Sequence, residues 1–260
     1  MSKYSDRLLP SSFLERPIAH RGLHDFNGFL GSRDIENSIG AIVAAARKDY
    51  AVEIDVRETK DGVPVVFHDE TLSRLAGREE RISELRWIEI KKVLLANRQG
   101  IPTLARILDI IFGKVPLLID IKDIDGTLGP TNGIFEKNIV KLLTNYNGPV
   151  AVMSFNPFSI SWMQKLAPEI PCGLVTERFK KTSWPKVSKT YLNRLNKMYY
   201  VSKLNVSFIS HSKPFLSSSA VSEQKNFGRR VLCWTVRSRL EETEARKYAD
   251  NVTFEGYVPE

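Results

Sequence analysis

The sequence predicts one α/β domain over residues 1–260, a barrel of eight parallel strands with an extra β-hairpin after the second strand. Short β-rich apolar runs recur along the chain, and most gaps between them carry the periodicity of an amphipathic helix. Strands alternating with helices form parallel βα units, and eight such units close a barrel. One gap is too short for a helix, which predicts the hairpin.

The runs begin with PIAHRG at 17 and AVEIDV at 51, followed by VPVVFHD at 63, VPLLIDIK at 115 and PVAVMSF at 149. IPCGLVTE at 170, VSFISHS at 206, RVLCWTV at 230 and NVTFEG at 251 complete the set. Ile39, Ile42, Val43 and Ala46 space one helix face, with Asn37 or Ser38 able to cap its start. Leu104, Ile107, Leu108 and Ile111 repeat that spacing after Pro102, and Leu240 to Tyr248 reads as a charged surface helix. Between AVEIDV and VPVVFHD lies only Lys60-Asp61-Gly62-Val63, and Asp-Gly is a strong turn signal. With Asp61 and Gly62 as a two-residue loop, Asp55 would lie opposite His68. GTLGPTNG at 126–133 reads as a loop on the face where barrel enzymes keep their sites.

At 42% hydrophobic and 26% charged residues the chain reads as a soluble globular protein. Its start has no apolar run of a secretory signal, and no stretch is apolar enough for a membrane span. Cys172 and Cys233 sit in apolar runs and read as reduced core thiols, which fits a cytoplasmic location. The net charge of +8 is local: residues 178–203 hold eight basic side chains and no acidic one, and the other 30 Lys and Arg match the 30 Asp and Glu. No nucleic-acid recognition motif accompanies this segment, so nucleic acid is not expected as a partner. Guidance of a small anionic substrate, peripheral contact with an acidic lipid surface, and a solvated basic helix remain three readings of it.

Glu53 and Asp55 are two apart on a strand and share a face. Two adjacent carboxylates repel unless a cation or proton joins them, and hard oxygen ligands suit Mg²⁺ or Ca²⁺. The competing reading is an outward pair bridged to Arg57 or Lys60. Asp120 and Lys122 repeat the spacing on another strand, offering a third oxygen ligand with an ammonium for an anion, or simply a strand-end ion pair. His20 and Arg21 end the first strand, joining a proton-transfer group to a phosphate-gripping fork. His68 would be a second proton carrier, whereas His24 and His211 read as ordinary loop or core histidines.

HRG at 20–22, EN at 36–37, ExD at 53–55, DG at 61–62, HD at 68–69 with TLxR reaching Arg74, IPTL at 101–104 and WTV at 234–236 occur in this order. In this the chain resembles the glycerophosphodiester phosphodiesterases over nearly its whole length. The resemblance implies a TIM-type (β/α)8 barrel and a divalent cation, Mg²⁺ or Ca²⁺, at the C-terminal ends of the strands. It implies His20 as base and His68 as acid, Arg21 on the phosphate, and Glu53 and Asp55 on the cation. The fourth-strand motif adds a third acid and a lysine, here Asp120 and Lys122, with aspartate where glutamate is usual. Arg237 and Glu255 also depart from the usual asparagine and aspartate, which points to altered substrate preference, and Ser38 replaces a threonine.

The implied activity is hydrolysis of a small glycerophosphodiester to an alcohol and sn-glycerol 3-phosphate. Its rivals are a lysophospholipase D-like enzyme docking at a membrane through 178–203, and a catalytically weakened barrel that binds phosphodiesters.

Overall fold

The computed structural model describes residues 8–24 and 34–259. The first seven residues, part of the start in which no signal segment is read, lie outside the described residues. Nine strands form one sheet: β1 (Ile18–Ala19), β2 (Ala51–Glu58), β3 (Pro64–Val66), β4 (Leu117–Ile121), β5 (Val150–Ser154), β6 (Cys172–Thr176), β7 (Phe208–Ser212), β8 (Arg230–Val236) and β9 (Asn251–Phe254). All but β3 pair in parallel and close into an eight-stranded barrel, because β1 bonds to both β2 and β9. β3 pairs antiparallel with β2 as the expected appended hairpin.

Strand alternation sorts the side chains into two cores. Val52, Ile54, Val56, Leu117, Ile119 and Ile121 pack outward against helix residues such as Ile42, Leu104 and Ile107. Ala51, Leu118, Ala151, Phe208 and Leu232 fill the barrel interior, where Leu9 and Phe13 from the N-terminal segment join them. Asn251 fixes that segment by donating through Nδ2 to the Phe13 and Arg16 carbonyls, each at 2.7 Å. The inward row of β2 thus begins apolar at Ala51 and becomes carboxylate at Glu53 and Asp55.

Helices cover the barrel where the apolar periodicity predicts them. Ser38, not Asn37, caps the helix Ile39–Arg47 by accepting from the Ala41 amide at 3.2 Å. The buried stripe of that helix is Ala41, Ile42 and Ala45, while Val43 is half-buried. In the helix Leu104–Ile111 all four predicted residues are buried. Arg239–Arg246 is the charged helix, resting on Glu242 and Ala245.

The hairpin register differs from expectation by one residue. Val56 pairs with Val66 and Glu58 with Pro64, which places Phe67 opposite Asp55. Thr59 is the cause: its amide donates to Val63 O and its carbonyl accepts from Gly62 N. Its hydroxyl also accepts from Val63 N at 2.9 Å and donates to Asp61 at 2.6 Å. The loop is therefore the three residues Lys60, Asp61 and Gly62, with Gly62 at φ +77°. His68 lies past the paired residues and is free to turn towards the barrel mouth.

Cys172 and Cys233 are buried and form no disulfide among the described residues. No helix among the described residues is long and apolar enough to cross a membrane. His211 is buried against the Thr176 hydroxyl at 2.8 Å, a core histidine as read, and burial lowers its pKa to about 4.

Candidate active site

The seven residues singled out in the sequence line one pocket at the C-terminal end of the barrel, closed on its other side by Met153, Phe155, Val175 and Trp234. Strand register explains the convergence. Asp55 pairs laterally with Asp120 and Glu53 with Leu118, so the three acids come from adjacent strands at neighbouring levels. Glu53, Asp55 and Asp120 are 3%, 1% and 4% exposed, which rules out the outward ion pair with Arg57 or Lys60. Each offers an oxygen within 4.8 Å of the others.

These carboxylates are unequally compensated. Lys122 Nζ lies 2.7 Å from Asp55 Oδ1 and 2.6 Å from Asp120 Oδ2. Asp55 Oδ2 accepts from Asn37 Nδ2 at 2.8 Å and lies 3.1 Å from Arg21 Nε. Burial alone would raise the Asp55 pKa, but Lys122 and Arg21 hold it well below the usual carboxylate range. Burial, then the Asp55 charge, pushes Glu53 well above its ordinary value, and burial raises Asp120 as well. Asp120 Oδ1 is buried with no hydrogen-bond partner among the described residues. Three convergent carboxylates, one with an orphaned oxygen, fit a hard divalent cation.

Backbone geometry holds the acids in place. Arg21 and Asn37 both adopt positive φ, +58° and +60°, and the Asn37 amide donates to the Arg21 carbonyl at 2.9 Å. The Arg21 amide then donates to Glu53 Oε2 at 2.9 Å. Gly22 follows at φ +81°, where a Cβ would come within 2.6 Å of the Ala41 carbonyl carbon. The glycine of HRG is thus required by conformation and by close approach to the first helix.

Each histidine is oriented by a carboxylate on Nδ1. His20 Nδ1 lies 2.5 Å from Glu255 Oε2, and His68 Nδ1 lies 2.7 Å from Asp69 Oδ1. A carboxylate acceptor places the proton of a neutral imidazole on Nδ1 and leaves the lone pair on Nε2. Burial lowers the His20 pKa to about 4 despite its bond to Glu255, so His20 is neutral at pH 7. Burial would raise Glu255, but bonding to His20, proximity to His24 Nε2 at 3.7 Å and the charge of Arg237 keep it well below the usual range. Arg237 grips Glu255 Oε1 through Nε and Nη2, both at 2.7 Å.

Several of these positions were not assigned roles from sequence. Asp69 and Arg74 lie in the HD and TLxR motifs, and Arg74 bonds to both Asp69 and Glu36. Glu36 in turn accepts from Arg21 at 2.7 Å, so a chain of charges runs from His68 to Asp55. Adjacency in the motifs was the available signal for Asp69. Glu255 stood out in sequence only as a departure from the usual aspartate, and with 235 residues between them nothing tied it to His20.

All eight basic side chains of 178–203 are exposed, but the segment is not one helix: only Lys189, Arg194 and Lys203 lie in the helices Lys189–Asn196 and Tyr199–Leu204. Trp184, Tyr191 and Tyr200 turn inward onto a separate apolar cluster with Phe155, Phe179 and Leu128. Tyr199 remains 47% exposed.

A closed parallel barrel with three carboxylates and two carboxylate-braced histidines at its C-terminal mouth defines a class of barrel hydrolases. Residues 20–253 match the model of the glycerophosphoryl diester phosphodiesterase family, and the chain belongs to that family. A glycerophosphodiester phosphodiesterase of Caldanaerobacter subterraneus is 32% identical over 195 residues, covering 70% of this chain and 75% of that protein. Among solved structures, an Oleispira antarctica phosphodiesterase in complex with the product sn-glycerol-3-phosphate superposes with a TM-score of 0.75 at 24% identity, covering 94% of each chain. A glycerophosphodiester phosphodiesterase from Parabacteroides distasonis superposes at 0.71 and 22% identity, covering 91% of each. At these identities the two structures speak for the fold.

Proposed function

We propose that the protein is a metal-dependent phosphodiesterase that hydrolyses glycerophosphodiesters to an alcohol and sn-glycerol 3-phosphate, using His20 and His68 for proton transfer. Family membership supports the reaction class. The observation that carries the mechanism is the pair of imidazoles, each with Nδ1 on a carboxylate, beside three convergent acids in one pocket.

Glu53, Asp55 and Asp120 would hold a divalent cation, Mg²⁺ or Ca²⁺, which when bound supplies Lewis-acid charge to the phosphate oxygens. Arg21 and Lys122 at the pocket wall add fixed positive charge for the remaining oxygens. Neutral His20, with its lone pair on Nε2, suits the base that deprotonates water or the neighbouring glycerol hydroxyl. His68, 34% exposed at its side chain and braced by Asp69, suits the acid that protonates the departing alcohol. Asp120 in register beside Asp55 supports a working site over the weakened barrel, since the shorter acid still reaches the cluster.

The test is hydrolysis of glycerophosphodiesters with Mg²⁺, Ca²⁺ or EDTA by the wild type, His20→Ala and His68→Ala. The expected outcome is metal-dependent release of glycerol 3-phosphate, with each variant folded and slowed by at least about 10²-fold. Near-normal turnover in either variant refutes its assignment. The exposed basic face of 178–203 favours a second reading, an enzyme working at an acidic lipid surface in the manner of a lysophospholipase D. Cosedimentation with phosphatidylserine vesicles supports it, and full recovery in the supernatant rejects it.

A further inference from the structure

Beside the catalytic pocket lies a larger cavity of about 340 Å³, and Lys122 borders both. Its walls come from the end of β2, the segment after β4, the 126–133 loop and the helix Ile134–Leu143. Glu58, Asp123, Asp125 and Glu136 line it, and among its lining residues Lys122 is the single cation. That ammonium is committed to Asp55 and Asp120. Lys186 reaches the Asp125 backbone carbonyl from outside the lining.

Neutral donors satisfy only part of this charge. Asp123 accepts from Asn156 Nδ2 at 2.7 Å and Leu128 N at 3.1 Å, and Asp125 accepts from Thr127 N at 2.9 Å. Glu136 is 1% exposed, and its Oε1 takes the hydroxyls of Thr131 and Ser159. Its Oε2 is buried with no hydrogen-bond partner among the described residues. A buried carboxylate oxygen without a donor is costly, and a cationic ligand in the cavity would relieve that cost.

We propose that this cavity is the head-group subsite and selects glycerophosphodiesters whose alcohol carries a primary ammonium, of the ethanolamine type. The inference rests on the phosphodiesterase reading, in which Lys122, the residue common to both cavities, faces the phosphate. A bound metal is the weaker occupant. None of the four carboxylates belongs to a convergent ligand group, whereas Glu53, Asp55 and Asp120 do. The cavity offers carboxylate and hydroxyl acceptors with Phe135 as its one aromatic, which suits an N–H donor better than a quaternary ammonium.

The experiment compares kcat/KM for glycerophosphoethanolamine, glycerophosphocholine and glycerophosphoglycerol in the wild type, Glu136→Gln and Asp125→Asn. The wild type is expected to prefer glycerophosphoethanolamine over glycerophosphoglycerol by roughly tenfold or more, mainly through KM. Glu136→Gln should cut that ratio by about tenfold, and the exposed Asp125→Asn, which keeps the fold, by severalfold. A wild-type ratio near one, or ratios that neither variant changes, overturns the subsite. Preference for glycerophosphocholine overturns the primary-ammonium assignment. Failure to hydrolyse any of the three diesters with either cation counts against the phosphodiesterase reading instead.

Discussion

Replacing Glu255 with glutamine isolates the charge behind His20. Glutamine keeps an acceptor for the Nδ1 proton and removes the negative charge 2.5 Å from the ring. When His20 takes a proton, imidazolium and carboxylate centres roughly 4 Å apart attract by about 4 kcal/mol at an effective dielectric constant of 20. Two features reduce that figure. Arg237 sits 2.7 Å from the other Glu255 oxygen, and the side chains of His20 and Glu255 are 11% and 18% exposed. About half the attraction then remains, near 2 kcal/mol, which corresponds to a roughly 30-fold fall in kcat.

Steady-state kinetics on a glycerophosphodiester at saturating cation, with cation affinity measured by calorimetry, separates this from damage to the acid cluster. Glu255→Gln should lose kcat with cation affinity retained. Because the carboxylate raises the His20 pKa, its removal should also move the acid limb of kcat/KM to lower pH. A kcat within threefold of wild type would refute the view that Glu255 assists proton transfer. Arg237→Ala should act weakly, since that arginine is 60% exposed and exposed pairs contribute at most about 1 kcal/mol.

Asp120→Asn removes charge from the oxygen set and should weaken calorimetric binding of Mg²⁺ or Ca²⁺ by more than about tenfold; unchanged affinity would exclude Asp120 as a ligand. Gly22→Ala puts a Cβ 2.6 Å from the Ala41 carbonyl carbon at φ +81°, so denaturant unfolding should show a loss of about 2–4 kcal/mol. His20 and His211 have folded pKa values near 4, against an ordinary 6.5. Between those values the unfolded chain binds the protons first, so stability should fall as pH drops from 6.5 to 4, by at most about 3 kcal/mol per histidine. His211→Asn should flatten part of that slope, and a slope of the opposite sign would contradict the buried neutral imidazoles.

The strands and the Glu53–Asp55 pair were legible from local periodicity, while the third acid, Asp120, was implied by the family resemblance because its convergence is made across strands. Glu53 and Asp55 alternate with Val52, Ile54 and Val56, so one face of β2 had to be either metal site or solvent front. The hairpin register was misread because Asp61-Gly62 resembles a two-residue turn, while the Thr59 hydroxyl and Gly62 at positive φ build a three-residue loop. The bracing of His20 was not legible at all. Arg237 and Glu255 look in sequence like departures that alter substrate preference, and only barrel closure brings Glu255 onto His20. Residues 178–203 were open to reading as a lipid-docking face, but Trp184, Tyr191 and Tyr200 pack inward because Phe155 and Leu128 offer them apolar cover.

β1 holds just two residues, and the ring shuts only where they meet β9, with the His20 amide donating to the Phe254 carbonyl at 2.9 Å. The aim of the His20 ring thus depends on contacts from a strand more than 230 residues away in sequence, with Glu255 235 residues on. A chain cut before residue 251 would lack both β9 and Glu255, the carboxylate that holds His20 Nδ1.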